Sequence, residues 1–428
     1  MRLAFLGPLP PAPTGIADYD ADVLRLLAGR HEIDVFHDQD SVERARLPAA
    51  CRLSRADTFL VRQREHPYDL ALYQMGNGPA HAVLYPLLAR VPGLLVLHDL
   101  VLHHSRARMF LDTPEARAYA ADPSSVERRA AALAPLGAYR AEAAYSYPGA
   151  ASRLVETQLA TVGDLLPYAY PLFRLPVEAS RLTAVHNTFM AEAITAEVEG
   201  ARVLRIPMAV ERVPVPAADV AALRARYGIE AGAFVVGCFG LLTREKRIET
   251  VARAVARAAA ALPALRLLLA GPVPDRAALD RLLDRLGVRT RSVVTGRVPF
   301  AELPAHMEAA DLAVHLRYPT ARETSAALLR LLAHGRPTVI SDLEHLADIP
   351  ENAVVRADVT DEEGCVLRAI LRLAAEPARR ERLSVAAREF TAREHSPGSC
   401  LEAYEAAIAE AARRPDPPRR AWPAHWTS

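Results

Sequence analysis

The sequence predicts an α/β protein of two domains, each built on a doubly wound parallel sheet, with a closing helix and tail. Three observations carry this reading. Short, nearly uninterrupted apolar runs alternate with segments of helical period through both halves, as expected of strands buried on both faces. Residues 207–216 (PMAVERVPVP) hold three prolines and no helical periodicity and read as a linker. The length, 428 residues, suits about three domains of average size or, equally well, two larger α/β domains.

The elements follow in order. In the first half, strand-like runs fall at 2–7, 32–36, 69–74, 93–98, 181–186 and 202–207, with helical patterns such as 17–28 and 80–88 between them. From about 105 to 180 the rhythm breaks into a longer, helical insertion carrying six of the thirteen tyrosines. After the linker the alternation restarts. Strands are expected at 234–240, 265–271, 292–296, 312–316, 337–341 and 353–356, and helices near 246–260, 275–286, 300–309, 323–334, 360–374 and 376–390. A helix near 399–413 precedes a tail, RRPDPPRRAWPAHWTS, that reads as irregular. The expected domains are therefore 1–210 and 217–395, both Rossmann-like, followed by a terminal segment, 396–428. Ligands of such sheets bind at the carboxyl ends of the strands, so the cleft between the halves is the expected site.

Composition narrows the function classes. With 51% apolar and 24% charged residues the chain is ordinarily globular, and 52 basic against 51 acidic residues leave no reason to expect a nucleic-acid partner. Cysteines 51, 238, 365 and 400 fall in no metal-ligand spacing. No apolar run approaches the ~18 residues of a membrane span, and the start lacks a signal-peptide pattern; a cytoplasmic protein is expected. Of the 52 basic residues only Lys246 is lysine, and Asn77, Asn187 and Asn352 are the only asparagines. Against so strong a bias, each survivor merits a chemical question.

Candidate site residues cluster where strands end. GPLPPAPTG at 7–15 is not a dinucleotide fingerprint, but Gly15 at the mouth of the first helix lets a ligand approach backbone N–H groups. YQMGNGPAH at 73–81 places Asn77 between two glycines, its amide expected to face the cleft. His98, followed by Asp99, ends another strand, where it can orient a hydroxyl or shuttle a proton. In GCFGLLTREKR, 237–247, Gly240 makes the turn and Lys246 opens a helix, an arrangement that makes sense if an anion sits between ammonium and helix dipole. In YPTARETSAALLR, 318–330, Thr324 or Ser325 caps a helix whose free N–H groups can take a phosphate. The triplets Asp18-Tyr-Asp20 and Asp38-Gln-Asp40 read as dipole complement and surface charge rather than metal sites, so no metal is expected.

Taken together, these segments resemble the retaining glycosyltransferases of family 4, which have the GT-B fold. The likeness rests on YQMGNGPAH, PGLLVLHDLVLHH, VHNTFMAE, RIPMAVE, GCFGLLTREKRIE and PTARETSAALLRLLAHGRP, in that order. It implies two Rossmann-like domains facing across a cleft, a C-terminal helix crossing back, and a nucleotide-diphosphate sugar donor held by the second domain. It further implies that Lys246 grips the diphosphate, Glu323 holds the donor sugar, and N–H groups at Thr324 and Ser325 cradle phosphates. Gly240 and Val298, the latter in the GRVPF turn at 296–300, would line the nucleotide. His98 would lie near the transferred sugar, with Gly15 and Asn77 on the first-domain side. Arg322, Arg330 and Leu241 stand where many members have two glutamates and an arginine. The implied reaction is sugar transfer to a glycan or small-molecule hydroxyl with retained configuration, without metal or cofactor. The insertion is the expected acceptor surface. A nucleotide-sugar epimerase and a non-catalytic nucleotide-sugar-binding subunit are the alternatives.

Overall fold

A computed structural model describes residues 1–160, 165–418, 420 and 422–426. The chain divides into two compact units. The first comprises Met1–Pro207, the tetrapeptide Ala321–Thr324 and Cys400–Ser428; the second comprises Met208–Thr320 and Ser325–Ser399.

The first unit holds seven parallel strands: β1 (Arg2–Leu6), β2 (Glu32–His37), β3 (Arg52–Arg55), β4 (Leu70–Met75), β5 (Leu94–Leu97), β6 (Leu182–Val185) and β7 (Val203–Arg205). Their order is β3-β2-β1-β4-β5-β6-β7. The central strands β4, β5 and β6 are buried along their whole length, which explains their unbroken apolar sequence. The edge strand β3, RLSR, has one apolar residue and gives no such signal.

The helix Gly15–Leu27 starts at its Thr14 cap and packs Ala17, Ala21, Leu24 and Val23 inward. It also buries Asp20, which corrects the expectation that both aspartates complement the helix dipole. Only Asp18 lies in the first turn; it pairs with Arg46 at 2.8 Å. Both carboxyl oxygens of Asp20 lack a hydrogen-bond partner among the described residues, and burial raises its pKa well above the carboxylate range. Its carboxyl sits over Gly7, where a Cβ would come within 2.4 Å of Oδ2. A raised folded-state pKa means that the native state holds this proton more tightly than the unfolded chain. Folding is therefore favoured at low pH, and that advantage is lost as pH rises through the raised value. Asp20→Asn is expected to raise the melting temperature at pH 7–8 and to narrow the gap at pH 4. A variant melting below wild type at pH 8 would show that the carboxyl has an ionic partner.

The insertion forms helices His103–Leu111, Pro114–Ala121, Val126–Ala131, Leu133–Ser146, Ala151–Leu159, Leu166–Ala169 and Arg174–Ala179. Its expected range includes residues 161–164, which lie outside the described residues. It has a small core of its own around Phe110, Tyr139 and Val155. Tyr139 is wholly buried and bonds His103, and Tyr145 bonds Glu178, so both serve packing.

The end of the chain is largely irregular, as expected, but it is anchored. After the helix Pro397–Arg413 the tail is not free: Asp416 pairs with Arg181, Arg420 with Glu178, and Ala424–Trp426 forms a tight turn. Residues 419, 421, 427 and 428 lie outside the described residues. Trp426 is buried edge-on to Tyr85 at 5.3 Å, and its Nε1 donates to Glu142 Oε1 at 2.7 Å. Glu142 also receives both Nε and Nη2 of Arg106, whose guanidinium lies 3.9 Å over Tyr85.

The second unit holds six parallel strands: β8 (Phe234–Phe239), β9 (Leu265–Ala270), β10 (Ser292–Gly296), β11 (Leu312–His315), β12 (Thr338–Ser341) and β13 (Val355–Ala357). Their order is β10-β9-β8-β11-β12-β13. Helix Ile248–Ala258 shows why the expected elements form: Ile248, Val251, Ala252 and Val255 recur on one face and are buried. Helix Ala217–Arg226 was not signalled; it buries only Leu223. No helix among the described residues is long and apolar enough to cross a membrane.

Candidate functional site

In the second unit, β8 ends in Gly240, with φ +99°. A side chain on neighbouring Gly271 would meet the Gly240 carbonyl oxygen at 1.9 Å, so two backbones touch here and glycine is required. Lys246 does not open the following helix, as the sequence suggested, but closes a 3-10 turn, Arg244–Lys246. Arg247, at φ +55°, then breaks the chain into helix Ile248–Ala258. The lysine is only 7% exposed, and its Nζ lies 3.9 Å from the place of a Gly240 Cβ. It is therefore an inward ammonium curled over a strand-end turn, not a solvated side chain.

Its field reaches two neighbours. Burial pushes the Cys238 thiol up to about 12, with Lys246 pulling the other way. Burial holds His315, at the end of β11, well below the ordinary histidine range, and Lys246, Arg317 and His345 add to it. The Nδ1 of His315 has no hydrogen-bond partner among the described residues. Positive potential thus gathers where β8 and β11 end, the place where open sheets receive ligands.

Nearby in sequence, Ser325 caps helix Ala326–Ala333, its Oγ accepting from Leu328 N. The first N–H groups of such a helix have no intrahelical acceptors. Val298 is half-buried against the core and follows Gly296 at φ +70°. Arg330 lies 4.8 Å over the exposed ring of Phe300. Leu241 is half exposed and carries no charge.

In the first unit, His98 belongs to a buried polar chain. His186 Nδ1 donates to Ile206 O at 2.9 Å, and its Nε2 lies 3.1 Å from His98 Nδ1. His98 Nε2 then faces the Gln74 side-chain amide at 2.8 Å, and Gln74 reaches Tyr404, whose hydroxyl pairs with Tyr19 at 2.7 Å. Burial, then His186 and His81, keeps His98 neutral. With both ring nitrogens bonded, the proton-shuttle expectation finds no free nitrogen here. The Asn77 side chain is partly engaged: its Oδ1 accepts from Ser105 N and so caps helix His103–Leu111. Gly15 is exposed, and a Cβ added to it would meet nothing within 4 Å. The protein itself does not require a glycine there, which leaves room for a ligand.

Glu323 and Thr324 fall in the tetrapeptide that groups with the first unit, while Ser325 falls in the second. The tetrapeptide is anchored three times. Leu100 N and Val101 N donate to Ala321 O at 2.9 and 3.3 Å. Asn187 Nδ2 donates to Arg322 O and Thr324 Oγ1, both at 3.1 Å. The Arg322 guanidinium lies 5.0 Å over Phe189. Asn187 is a residue the motif reading passed over, although its rarity in this sequence marked it as plainly as Lys246.

The family-model match falls almost wholly in the second unit. Residues 233–376 match the family model described as glycosyl transferases group 1. A 2-deoxystreptamine glucosyltransferase from Streptomyces kanamyceticus is 30% identical over 146 residues, which is 33% of this chain and 37% of that enzyme. The match therefore spans little more than a third of the relative. Among solved structures, a sucrose-phosphate synthase from Thermosynechococcus elongatus superposes with TM-score 0.65 at 18% identity, covering 96% of this chain and 99% of that one. Anabaena HepE, solved with UDP and glucose, gives 0.65 at 17% identity, covering 96% and 99%. At these identities the structural likeness is one of fold: two Rossmann-like domains of GT-B type.

Proposed function

We propose that this chain is a group 1 glycosyltransferase that moves a sugar from a nucleotide-diphosphate sugar to an acceptor hydroxyl with retention of configuration. The observation that carries the reading is the inward Lys246 over the Gly240 turn, inside the segment that matches the family model. The difficult step is departure of the nucleotide diphosphate, as charge builds on the β-phosphate oxygens. Lys246 and the N–H groups after Thr324 stabilise that charge, and preorganised groups of this kind contribute several kcal/mol. Attack on the face from which the diphosphate leaves gives retention. The acceptor is a glycan or soluble metabolite recognised through the insertion, a reading supported by the 2-deoxystreptamine named for the Streptomyces relative. The enzyme works in the cytoplasm and uses no cofactor.

The test is a thermal-shift series with UDP-, GDP-, ADP- and dTDP-glucose, followed by assays of transfer and hydrolysis. A donor at ~100 times its dissociation constant stabilises by about 2.7 kcal/mol. No shift and no turnover with any of the four would overturn the proposal.

No metal takes part. Asp18 is paired with Arg46 and Asp20 is turned into the core, so that triplet offers no shared carboxylate face to a cation. Turnover is expected to persist in EDTA. A strict requirement restored by titrating back Mg²⁺ or Mn²⁺ would refute this.

A further inference from the structure

We infer that Asn187 is a positioning residue: its one amide caps a helix of the first unit and at the same time clamps the loop that carries Glu323 and Thr324. The role rests on the glycosyltransferase reading only for its consequence, not for its geometry. Asn187 is 3% exposed and stands just before helix Thr188–Glu197. Its Oδ1 accepts from Met190 N at 2.9 Å, the capping bond that helix needs. That bond fixes the orientation of the amide, because a backbone N–H can face only the oxygen. The nitrogen therefore points the other way, and its two hydrogens meet two acceptors, Arg322 O and Thr324 Oγ1, each at 3.1 Å. Both amide hydrogens and the oxygen of this side chain are thus engaged.

What the clamp holds is a backbone that would not otherwise stay. Arg322 has φ +64°, a left-handed conformation that non-glycine residues avoid. Its carbonyl is the one Asn187 grips, and its guanidinium is steadied on Phe189, two residues beyond Asn187. One turn of one helix thus supplies both anchors. The carbonyl of Ala321, next in the loop, is bonded by Leu100 N and Val101 N, which directly follow the His98-Asp99 strand end. Two strand ends of the first unit, those of β5 and β6, therefore set the position of residues 321–324. Within that loop lie the acid proposed to hold the donor sugar and the hydroxyl next to the phosphate cradle. Their placement depends on Asn187 although it touches no substrate.

The substitution that separates cap from clamp is Asn187→Asp. Aspartate keeps the capping oxygen but turns a second oxygen toward the Arg322 carbonyl, where two acceptors repel; only the Thr324 hydroxyl can rotate to donate. Asn187→Ala loses both functions. Hydrogen exchange reads the two bonds without any ligand, because the amides of Leu100 and Val101 are protected by the loop and that of Met190 by the cap. In N187D the peptide holding Leu100 and Val101 is expected to exchange at least tenfold faster, with Met190 protected as in wild type; in N187A both exchange faster. With the nucleotide-glucose that gives the largest thermal shift among the four named above, N187D is expected to lose at least tenfold in kcat/KM for the donor with acceptor KM unchanged. Unchanged exchange at Leu100 and Val101 in N187D overturns the clamp. Fast exchange with wild-type kcat/KM overturns the positioning role. A wild-type chain that neither binds nor turns over any of the four donors overturns the transferase reading instead, and the exchange measurement still decides the clamp.

Discussion

Lys246→Ala is expected to abolish sugar transfer while leaving the chain folded. The ammonium is inward, curled over a glycine turn, and presses on Cys238 and His315. Alanine leaves the backbone of the 3-10 turn and its glycine neighbour in place, so the variant is expected to remain folded, which circular dichroism checks. Transition-state charge on a diphosphate is another matter. Removing one charge-assisted contact costs of order 2–4 kcal/mol, roughly thirty- to thousandfold in turnover. Arginine should restore only part of this, because a planar fork longer than the lysine must fit against the Gly240 backbone. A second readout follows from the sign of the interaction: Lys246 lowers the His315 pKa, so K246A should raise it toward the ordinary histidine range. Near-normal turnover in K246A, at saturating donor, would remove this lysine from the proposed site.

The central strands of both sheets were legible because they are buried on two faces, and burial on two faces writes an uninterrupted apolar run. Where burial is partial the signal thins, although β7, β10 and β13 could still be read. The edge strand Arg52–Arg55 offers one leucine, and helix Ala217–Arg226 buries one residue. The tail shows a different limit. Its prolines and arginines describe a segment without regular structure, which is largely what it is, but a segment can be irregular and still anchored. The readable sign was elsewhere: both tryptophans of the chain, Trp422 and Trp426, lie in its last seven residues. Side chains of that size near a terminus are rarely left in water.

The site was legible where chemistry opposes composition and illegible where function is shared over distance. Lys246 stood out against 51 arginines. The same contrast marked the three asparagines, but rarity does not say what the amide does. Asn77 and Asn187 both cap helices, and only the folded chain shows that one of them also reaches 135 residues along to the 321–324 loop. His98 is the converse case. A histidine at a strand end suggested proton transfer, yet its neighbours Gln74 and His186 arrive from β4 and the end of β6 and occupy both nitrogens. Those partners are fixed by sheet order, which a motif does not contain.

Glu142→Ala is expected to destabilise the first unit by about 3–5 kcal/mol, the range for removing one partner of a buried ion pair. Glu142 and Arg106 are each only 2% exposed, and the carboxylate receives Arg106 twice, together with His425 Nε2 and Trp426 Nε1. Alanine leaves the Arg106 guanidinium buried without its counter-charge and frees the tail at the same point. The pH dependence follows. Burial alone would raise the Glu142 pKa, but Arg106 and the donated bonds outweigh it and bring it to about 2 from the ordinary 4.5. A depressed folded-state pKa gives stability that is present above the unfolded value and lost as pH falls from about 4.5 through about 2. E142A should lack this component of acid sensitivity. Because both tryptophans lie in the tail, intrinsic fluorescence reports the event directly: in E142A the emission should shift to the red at neutral pH, and in wild type it should do so only on acidification. Replacing the pair together, Arg106→Met with Glu142→Leu, should cost much less than E142A alone, since no charge is then stranded. If E142A melts like wild type with unshifted emission, the tail is not held by this carboxylate. If the double variant is as unstable as the single, the cost lies in lost packing rather than in the orphaned guanidinium.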